Sequence, residues 1–360
     1  MTARPEQLTP FAIGCLLFSF LSGFSTLFLA EAQTLGQDVW MAYAIGLGLS
    51  SFMIWLMYRL YSRYPGLSMA EVFDRLLGKP IAKAALVVYL AYMLEIQGAA
   101  AQALTSFYRT VVLPNTSSAE ILLMIALTTT YAAYLGLGAI ARTVLISLPM
   151  FLVGIAFIIL MILKDVHINP FLPPLRHAAP EIALGGLQCF FFPFGKSIVF
   201  CFLFSRTTGG RHTLIGLFAA LIASCVYLFV SAYLAFGSLG YRLTANATFP
   251  FFSAIQLVKI GEYIERIEIM IIGIWTMFTL FEIIVLQYVF AQVFGSLFGI
   301  REVRPFIVPI GLLFFAIASH SFTELHDLVA YNSTIAPFST LLPMAGIPLA
   351  LTLVHSLRRR

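Results

Sequence analysis

Long apolar stretches alternate with short polar segments along almost the whole chain. Each stretch holds about 20 residues, the length that an α-helix needs to cross the hydrocarbon core of a membrane. The pattern therefore predicts an all-α membrane protein with about ten transmembrane helices. The predicted spans are residues 11–30, 40–61, 81–108, 119–138, 143–163, 181–204, 213–236, 267–294, 305–319 and 331–356.

The first apolar stretch contains residues that interrupt helices near its centre. These residues are Ser22, Gly23, Phe24 and Ser25. Small and hydroxylated residues at this depth allow backbone groups to leave the helical ladder and face a ligand.

The sixth stretch is interrupted at the matching position of the second half of the chain. Pro193 removes a backbone donor there, and Gly195, after Phe194, permits unwinding. Paired interruptions in corresponding helices indicate the binding site of a transporter fold, in which half-helix N-termini present N–H groups to an anionic ligand group. The alternative is that each interruption only marks a kink or close helix packing.

Three charged residues lie near the middle of separate apolar stretches: Glu95, Lys196 and Glu282. Charge is expensive at bilayer depth, so such residues indicate a functional site. A carboxylate there can hold a ligand amino group or relay a proton, and a lysine can hold a carboxylate or occupy a cation site. The alternative is a buried ion pair between Lys196 and a glutamate that only fixes helix packing. The two interpretations are compatible, because one pair can gate a pocket.

Three aromatic residues, Phe24, Phe194 and Trp275, are candidate walls of the same pocket. The other aromatic residues are assigned mostly to lipid-facing and packing surfaces. Glu31, at the outer end of the first stretch, is interpreted as a solvated surface residue, with a place in a ligand vestibule as the alternative.

The composition does not fit a soluble domain. Hydrophobic residues make up 60% of the chain, charged residues only 10%, and the mean hydropathy is +0.95, whereas ordinary domains carry about 25% charged residues. The four cysteines lie inside apolar stretches and are predicted to be small core residues. The chain has no HExxH motif, no suitably spaced nucleophile and base, and no phosphate-binding glycine loop. We therefore predict no enzyme activity, no catalytic residue, no metal site, no cofactor and no nucleic-acid partner.

Basic residues are distributed unequally between the two sides of the predicted bundle. Most of the 21 lysine and arginine residues fall on the side that holds both termini. The positive-inside rule therefore places both termini in the cytoplasm. On that side, the loop of residues 62–80 carries Met69, Val72, Phe73, Leu76 and Leu77 on one helical face, which predicts a helix in the membrane interface.

Five short motifs lie at the ends of the predicted helices or at their interruptions. They are Gly36-Gln37-Asp38-Val39-Trp40, Arg63-Tyr64-Pro65-Gly66-Leu67-Ser68 followed by Glu71, Leu113-Pro114-Asn115-Thr116, Phe192-Pro193-Phe194-Gly195, and Ile264-Glu265-Arg266-Ile267-Glu268. In their order and spacing, over nearly the whole length, they resemble the B subunit of bacterial spore germinant receptors. That spore germination permease family belongs to the amino acid–polyamine–organocation superfamily.

The resemblance implies a leucine-transporter-like fold, in which ten helices form two inverted five-helix repeats and helices one and six are broken. It implies a single transmembrane domain over residues 1–360, with repeat one at about 10–163, repeat two at about 181–319, and the additional helices through 356 in the same bundle. In that fold, helices one, three, six and eight line the pocket. The three buried charges each fall on one of these helices.

The resemblance also implies a function and partners. The implied function is germinant sensing in the spore inner membrane, beside a larger A subunit and a lipoprotein C subunit, with an amino acid as the usual class of germinant. The predicted ligand-binding residues are Ser22, Gly23, Phe24, Ser25, Glu95, Phe194, Gly195, Lys196, Trp275 and Glu282. The alternative function is a proton-coupled amino-acid transporter of the same superfamily, because the same fold and pocket serve both.

The chain departs from the family pattern at one position. The resemblance implies an acidic residue after the Phe-Gly pair of the sixth helix, but this chain has Lys196 there. The substitution reverses the charge at the implied pocket, so the ligand is not expected to match that of better-known relatives.

Overall fold

The computed structural model describes residues 7–23, 25–164, 166–167, 175–258, 266–321 and 336–358. Phe24, one of the candidate pocket residues, lies outside the described residues, as does the beginning of the motif at Ile264. Apart from turns and short connections, the described chain is helical, and one isolated backbone bridge pairs Leu8 with Thr207.

Ten membrane spans account for most of the described chain. Eight helices are long and apolar enough to cross a membrane, and two shorter apolar helices, Pro10–Ser22 and Arg304–His320, occupy the predicted first and ninth spans. The protein is therefore a multi-pass helical membrane protein, as the apolar pattern predicts. The helices are α1 (Pro10–Ser22), α2 (Ser25–Phe28), α3 (Ala30–Leu35), α4 (Val39–Tyr61), α5 (Met69–Leu77), α6 (Lys79–Phe107), α7 (Ser118–Leu135), α8 (Leu137–Leu163), α9 (Ala179–Cys189), α10 (Arg211–Leu239), α11 (Tyr241–Asn246), α12 (Pro250–Gln256), α13 (Glu268–Phe298), α14 (Ile307–Ser321), α15 (Ala336–Leu341) and α16 (Ile347–Leu357).

The first and sixth spans are the interrupted ones that the sequence predicts. The first span consists of α1 followed by the short helices α2 and α3. The sixth span consists of α9, an irregular turn at Phe190–Phe194, and a 3-10 helix at Gly195–Arg206. Both interruptions fall near the middle of their spans, so each span is divided into two halves. The end of the bundle that holds Leu8 and Arg206 is called its inner side, and the end that holds α11 is called its outer side.

The long helix α13 lies at the centre of the described bundle. It packs against α1, α6, α7 and α8, and most of its side chains are buried. Helix α1 also packs against α10. The two helices are so close that a Cβ atom on Gly14 of α1 would lie 2.9 Å from the carbonyl oxygen of Gly216 on α10. Small residues at such crossings let membrane helices approach closely enough for backbone packing to hold them together.

The helix predicted in the loop of residues 62–80 is present as α5. Ser68 caps it, with Glu71 completing a reciprocal capping box. Its apolar residues, including Val72 and Phe73, are buried against the protein, mainly against α6. The prediction of a helix is thus confirmed, but the assignment of its apolar face to the membrane interface is wrong, because that face extends the protein core.

A buried carboxylate fixes the start of the sixth span on the outer side. Asp38, just before α4, accepts hydrogen bonds from the backbone N–H groups of Leu175 (2.8 Å), Arg176 (2.7 Å) and His177 (2.9 Å). The His177 Nδ1 atom lies 3.0 Å from the same carboxylate. Hydrogen bonds to a charged group contribute about 1.5–3 kcal/mol each. Asp38 therefore ties the connection that precedes α9 to the beginning of the second span.

On the inner side, the beginning of the first span is joined to the end of the sixth. The Leu8 N–H donates to the Arg206 carbonyl (2.7 Å), and the Thr208 N–H donates to the Leu8 carbonyl (3.0 Å). The two interrupted spans therefore contact each other at their inner ends.

Candidate functional site

The first span unwinds at Ser22 and Gly23, two of the predicted site residues. The backbone of Gly23 leaves the helical region, with φ −76° and ψ −94°. The Thr26 hydroxyl donates to the Ser22 and Gly23 carbonyl oxygens at 3.0 and 3.1 Å, which partly replaces the lost helical hydrogen bonds. Ser25 begins α2. The Thr26 hydroxyl therefore bonds to carbonyl groups of the residues at the break.

Gly23 also brings the break against the eighth span. A Cβ atom at this position would lie 2.7 Å from the backbone nitrogen of Thr279 and 2.9 Å from the carbonyl carbon of Phe278. Any larger residue would push α1 away from α13. The absence of a side chain at Gly23 thus sets the distance between the broken first span and the central helix.

The sixth span breaks at Phe192, whose extended backbone (φ −146°, ψ 128°) lies between two helical segments. The chain becomes helical again at Gly195, where a side chain would collide with the Phe190 carbonyl and with the sulfur of Met344 in the tenth span. Phe194 is fully buried, and its ring meets that of Tyr43 edge-on at 6.5 Å between centroids. The glycine at this break therefore serves close packing as well as unwinding.

Lys196 and Glu282 form a buried ion pair directly beside the two breaks. The Lys196 Nζ atom donates to Glu282 Oε1 at 2.7 Å, and each side chain is only 1% exposed. The ammonium group also lies over the ring of Phe20 (5.3 Å) and the ring of Phe192 (5.2 Å). The pair therefore joins the sixth span to the eighth. The contact of the Lys196 ammonium group with Phe20 joins the first span to them as well.

The ion pair uses only one of the two carboxylate oxygens of Glu282. Glu282 Oε2 is buried and has no hydrogen-bond partner among the described residues. Buried ion pairs are roughly balanced between attraction and lost hydration, but removing one member leaves an uncompensated charge. Lys196 and Glu282 therefore depend on each other, while the second oxygen of Glu282 retains capacity for a further donor.

Several other buried polar atoms near the breaks also have no hydrogen-bond partner within the described chain. Ser22 lies at the first break, Ser197 follows Lys196, and Thr279 packs on Gly23 and precedes Glu282 by about one helical turn. Buried polar groups are normally satisfied by protein or by bound molecules. This arrangement suits a small polar ligand that both donates and accepts hydrogen bonds.

Glu95 is not part of the ion pair. It is half-buried on α6 and accepts a hydrogen bond from the Ser339 hydroxyl of α15, in the tenth span. Tyr92, one turn earlier, lies within electrostatic range of both Glu95 and Glu282. The structure thus brings two of the three predicted charges together and directs the third toward the tenth span.

Trp275 lies two helical turns outward from Glu282 on α13. It is fully buried and packs against Phe107, Phe251 and Phe252, with centroid distances of 5.9, 5.9 and 6.3 Å. Two of these rings belong to the short helix α12. The tryptophan therefore closes the outer side of the central region instead of contacting the ion pair.

Sequence reasoning missed three residues of this region. Phe20 packs on the Lys196 ammonium, Tyr92 lies near both carboxylates, and Ser339 bonds to Glu95. Phe20 and Tyr92 could have been found from their positions near predicted site residues. Ser339 could not, because 244 residues separate it from Glu95 and nothing in the local pattern distinguishes it.

A family model described as spore germination protein matches residues 7–325. The chain is 23% identical over 294 residues to spore germination protein KB of Bacillus subtilis (strain 168), covering 80% of this chain and 78% of that protein. It is 20% identical over 320 residues to the putative spore germination protein YfkT of the same organism, covering 88% and 87%.

Solved transporter structures share the fold. Mhp1, a nucleobase-cation-symport-1 family transporter, in a closed conformation with bromovinylhydantoin bound, matches with a TM-score of 0.68 at 14% identity, over 96% of this chain and 78% of that chain. A Na⁺-coupled sialic acid symporter in a substrate-bound outward-open state matches with a TM-score of 0.64 at 13% identity, over 97% and 76%. These matches confirm the predicted leucine-transporter-like fold. The relatives and neighbours are spore germination proteins and transporters.

Proposed function

Because the chain belongs to the spore germination protein family, we propose that it is the germinant-sensing membrane subunit of a spore germination receptor. The ligand is a small amino acid or a similar nutrient, and it binds at the middle of the membrane between the broken first and sixth spans and the eighth span. The receptor lies in the spore inner membrane, with both termini of this subunit in the cytoplasm. An A subunit and a lipoprotein C subunit are its partners.

One observation carries this proposal: two helix breaks and a buried ion pair meet at the same depth. The breaks free backbone groups of the first and sixth spans, and the pair supplies one cation and one anion, 2.7 Å apart, with one carboxylate oxygen uncommitted. These are the groups that recognise a zwitterion. Packing alone requires neither the two breaks nor the unpartnered hydroxyl groups beside them.

The ligand enters by exchange of charge partners. Its carboxylate replaces Glu282 as the partner of Lys196, and its ammonium group takes the Glu282 carboxylate, so no buried charge is left unpaired. Separation of the pair moves the sixth span relative to the eighth. Binding therefore favours one arrangement of the bundle by its differential contacts, and that arrangement is passed to the partner subunits.

A charge exchange between the two positions tests this assignment. Spores carrying Lys196→Glu, Glu282→Lys or both are compared in germination with single amino acids, with receptor levels measured by immunoblot. The double variant restores an ion pair, so we expect its level to exceed that of either single variant. Its germinant dose response should still be lost or strongly shifted, because the ligand would meet each charge on the wrong helix.

The control is Asp74→Asn, which changes an exposed carboxylate of α5 outside the site and should keep the wild-type dose response. A wild-type dose response of the double variant, at a wild-type protein level, would contradict ligand contact and leave only a packing role for the pair.

A second candidate function is proton-coupled amino-acid transport, which the likeness to transporter structures favours. Uptake of radiolabelled amino acids into proteoliposomes that contain the purified chain distinguishes the two functions. Saturable uptake driven by a pH gradient would support transport, and binding without uptake would support sensing alone.

A further inference from the structure

A carboxyl group lies buried in the outer half of the bundle, away from the central ion pair. Glu31 on α3 is only 9% exposed, so the expectation of a solvated surface position is wrong. After α2 the chain continues as α3, which is covered by α4, α9 and the outer helix α11. Glu31 therefore lies beneath this cover.

The described surroundings of Glu31 supply no counter-charge. Its carboxyl accepts a hydrogen bond from its own backbone N–H. Among the residues that the structure describes, it makes no ion pair and no hydrogen bond to another side chain, and its electrostatic neighbours are Tyr43 and Cys189. The Tyr43 hydroxyl is also buried and has no hydrogen-bond partner in the described chain. A lone ionised carboxylate in such a place is strongly disfavoured, so the group must be neutral or must hold a cation.

The other charged and titratable groups on the neighbouring elements do not compensate for it. Asp38 is itself acidic and is occupied by its hydrogen bonds to the connection before α9, including His177. On α11, Tyr241 packs against Gly36, and Arg242 is exposed. A proton is the occupant that the site fits best, because a metal cation needs several oxygen ligands, whereas the electrostatic neighbours of Glu31 in the described part of the chain are a tyrosine and a cysteine, Tyr43 and Cys189.

Two features make α3 a segment that can move. Leu29, between α2 and α3, has a left-handed backbone (φ 47°, ψ 40°) although it is not glycine, and such conformations concentrate at switch regions. On the other side, the Gln33 side chain donates to the carbonyl oxygens of Thr244 (3.1 Å) and Ala247 (2.7 Å). These bonds hold α3 under α11 and the residue that ends it, so the conformation described is closed over Glu31.

We propose that Glu31, with Tyr43, is a proton-binding site that couples protonation to closure of the outer half of the bundle. Glu31 carries a proton while α3 is held under α11. When α3 swings out at Leu29 and the Gln33 bonds break, water reaches the carboxyl group, which releases the proton. Acid therefore favours closure and alkali favours opening. This inference goes beyond germinant sensing and is independent of the ligand that the central site takes.

Hydrogen–deuterium exchange of α3 tests the proposal without any germinant. The full-length chain in lipid nanodiscs is compared with Glu31→Gln between about pH 5 and about pH 9, after correction for the intrinsic exchange rate. One proton released per opening makes opening of the wild-type protein rise by up to about tenfold per pH unit. Glu31→Gln copies the protonated group, so its α3 amides should stay protected over the whole range.

The matched control is Glu302→Gln, which removes an exposed carboxylate in the connection between α13 and α14 and should keep the wild-type profile. Size-exclusion elution and the melting temperature show that each variant is folded. A flat wild-type profile, or the same slope in Glu31→Gln, overturns the proposal. A wild-type profile that follows the concentration of Na⁺ or K⁺ instead of pH overturns it in favour of a metal-cation site.

Discussion

Lys196 and Glu282 are stable only as partners, because either charge alone would remain buried without compensation. Removing either partner should therefore lower the free energy of unfolding by much more than most surface substitutions do. Under the proposed function, a bound zwitterion satisfies both charges at once. The ionic state of the pair would then be coupled to occupancy of the central region.

Replacing Lys196 with methionine should destabilise the protein by about 3–5 kcal/mol, because the Glu282 carboxylate is left unpaired in an apolar environment. A second change, Glu282→Met, should recover most of that loss. Thermal unfolding in detergent measures both, and Lys79→Met at the exposed start of α6 serves as the control. A single variant as stable as wild type would mean that Glu282 is neutral before the substitution.

The sequence predicts the types of residue at this site better than their partners. The cost of charge in lipid identifies Glu95, Lys196 and Glu282, and only the folded chain reveals which of them meet. Glu95 bonds to Ser339, and Glu31 is buried by α11, a helix more than 200 residues away. Such long-range contacts depend on how spans assemble, which local hydrophobicity does not encode.

At the scale of helices, the breaks determine how closely the spans approach one another. Gly23 has the backbone of α13 against it, whereas Gly48 in α4 has open space where a Cβ would be. The sequence shows both as glycines inside apolar runs. Only their surroundings separate a glycine that packing requires from one that it does not.

Gly23→Ala and Gly48→Ala should therefore have opposite effects. The first forces α1 and α13 apart and should lower the melting temperature and the germination response. The second should leave stability unchanged or raise it by up to about 1 kcal/mol, since alanine is the better helix former. The melting temperature and the germination response of the two variants are measured. Equal effects of both substitutions would contradict the role of Gly23 in helix packing.

The hydrogen bonds of Asp38 lead to a prediction for the connection that precedes α9. Asp38→Ala removes an acceptor shared by three backbone N–H groups and should cost about 3 kcal/mol or more. Asp38→Asn retains one acceptor oxygen and should lose less. Exchange of the amides of residues 175–177 should increase in both variants, whereas Asp74→Asn on the exposed face of α5 should not change it.

At the scale of the whole molecule, the sequence already predicts the number of spans and the positions of the two breaks. Both features arise from local chemistry: apolar length sets each span, and Pro193 or Gly23 interrupts it. The packing of α5 on the protein was missed, because a half-apolar helix has the same pattern whether it covers lipid or core. The proposed orientation depends on charge distribution and is tested separately.

Cysteine labelling should show opposite sides for two exposed positions. Arg242→Cys on α11 is expected to react with an impermeant maleimide from outside intact cells. Ser62→Cys, at the end of α4, should react only after the membrane is opened. The unsubstituted chain, whose four thiols are free and largely buried, provides the background. Labelling in the reverse order would contradict cytoplasmic termini.

The backbone pairing of Leu8 with Arg206 and Thr208 has a mechanical consequence. It fastens the inner halves of the two broken spans together at the ends farthest from their breaks. If the two spans move, these bonds should make the two segments move together. A shift at the ion pair would then be carried to the inner end of the bundle, at Leu8 and Arg206. A neighbouring protein bound there would receive the signal as movement of a single surface.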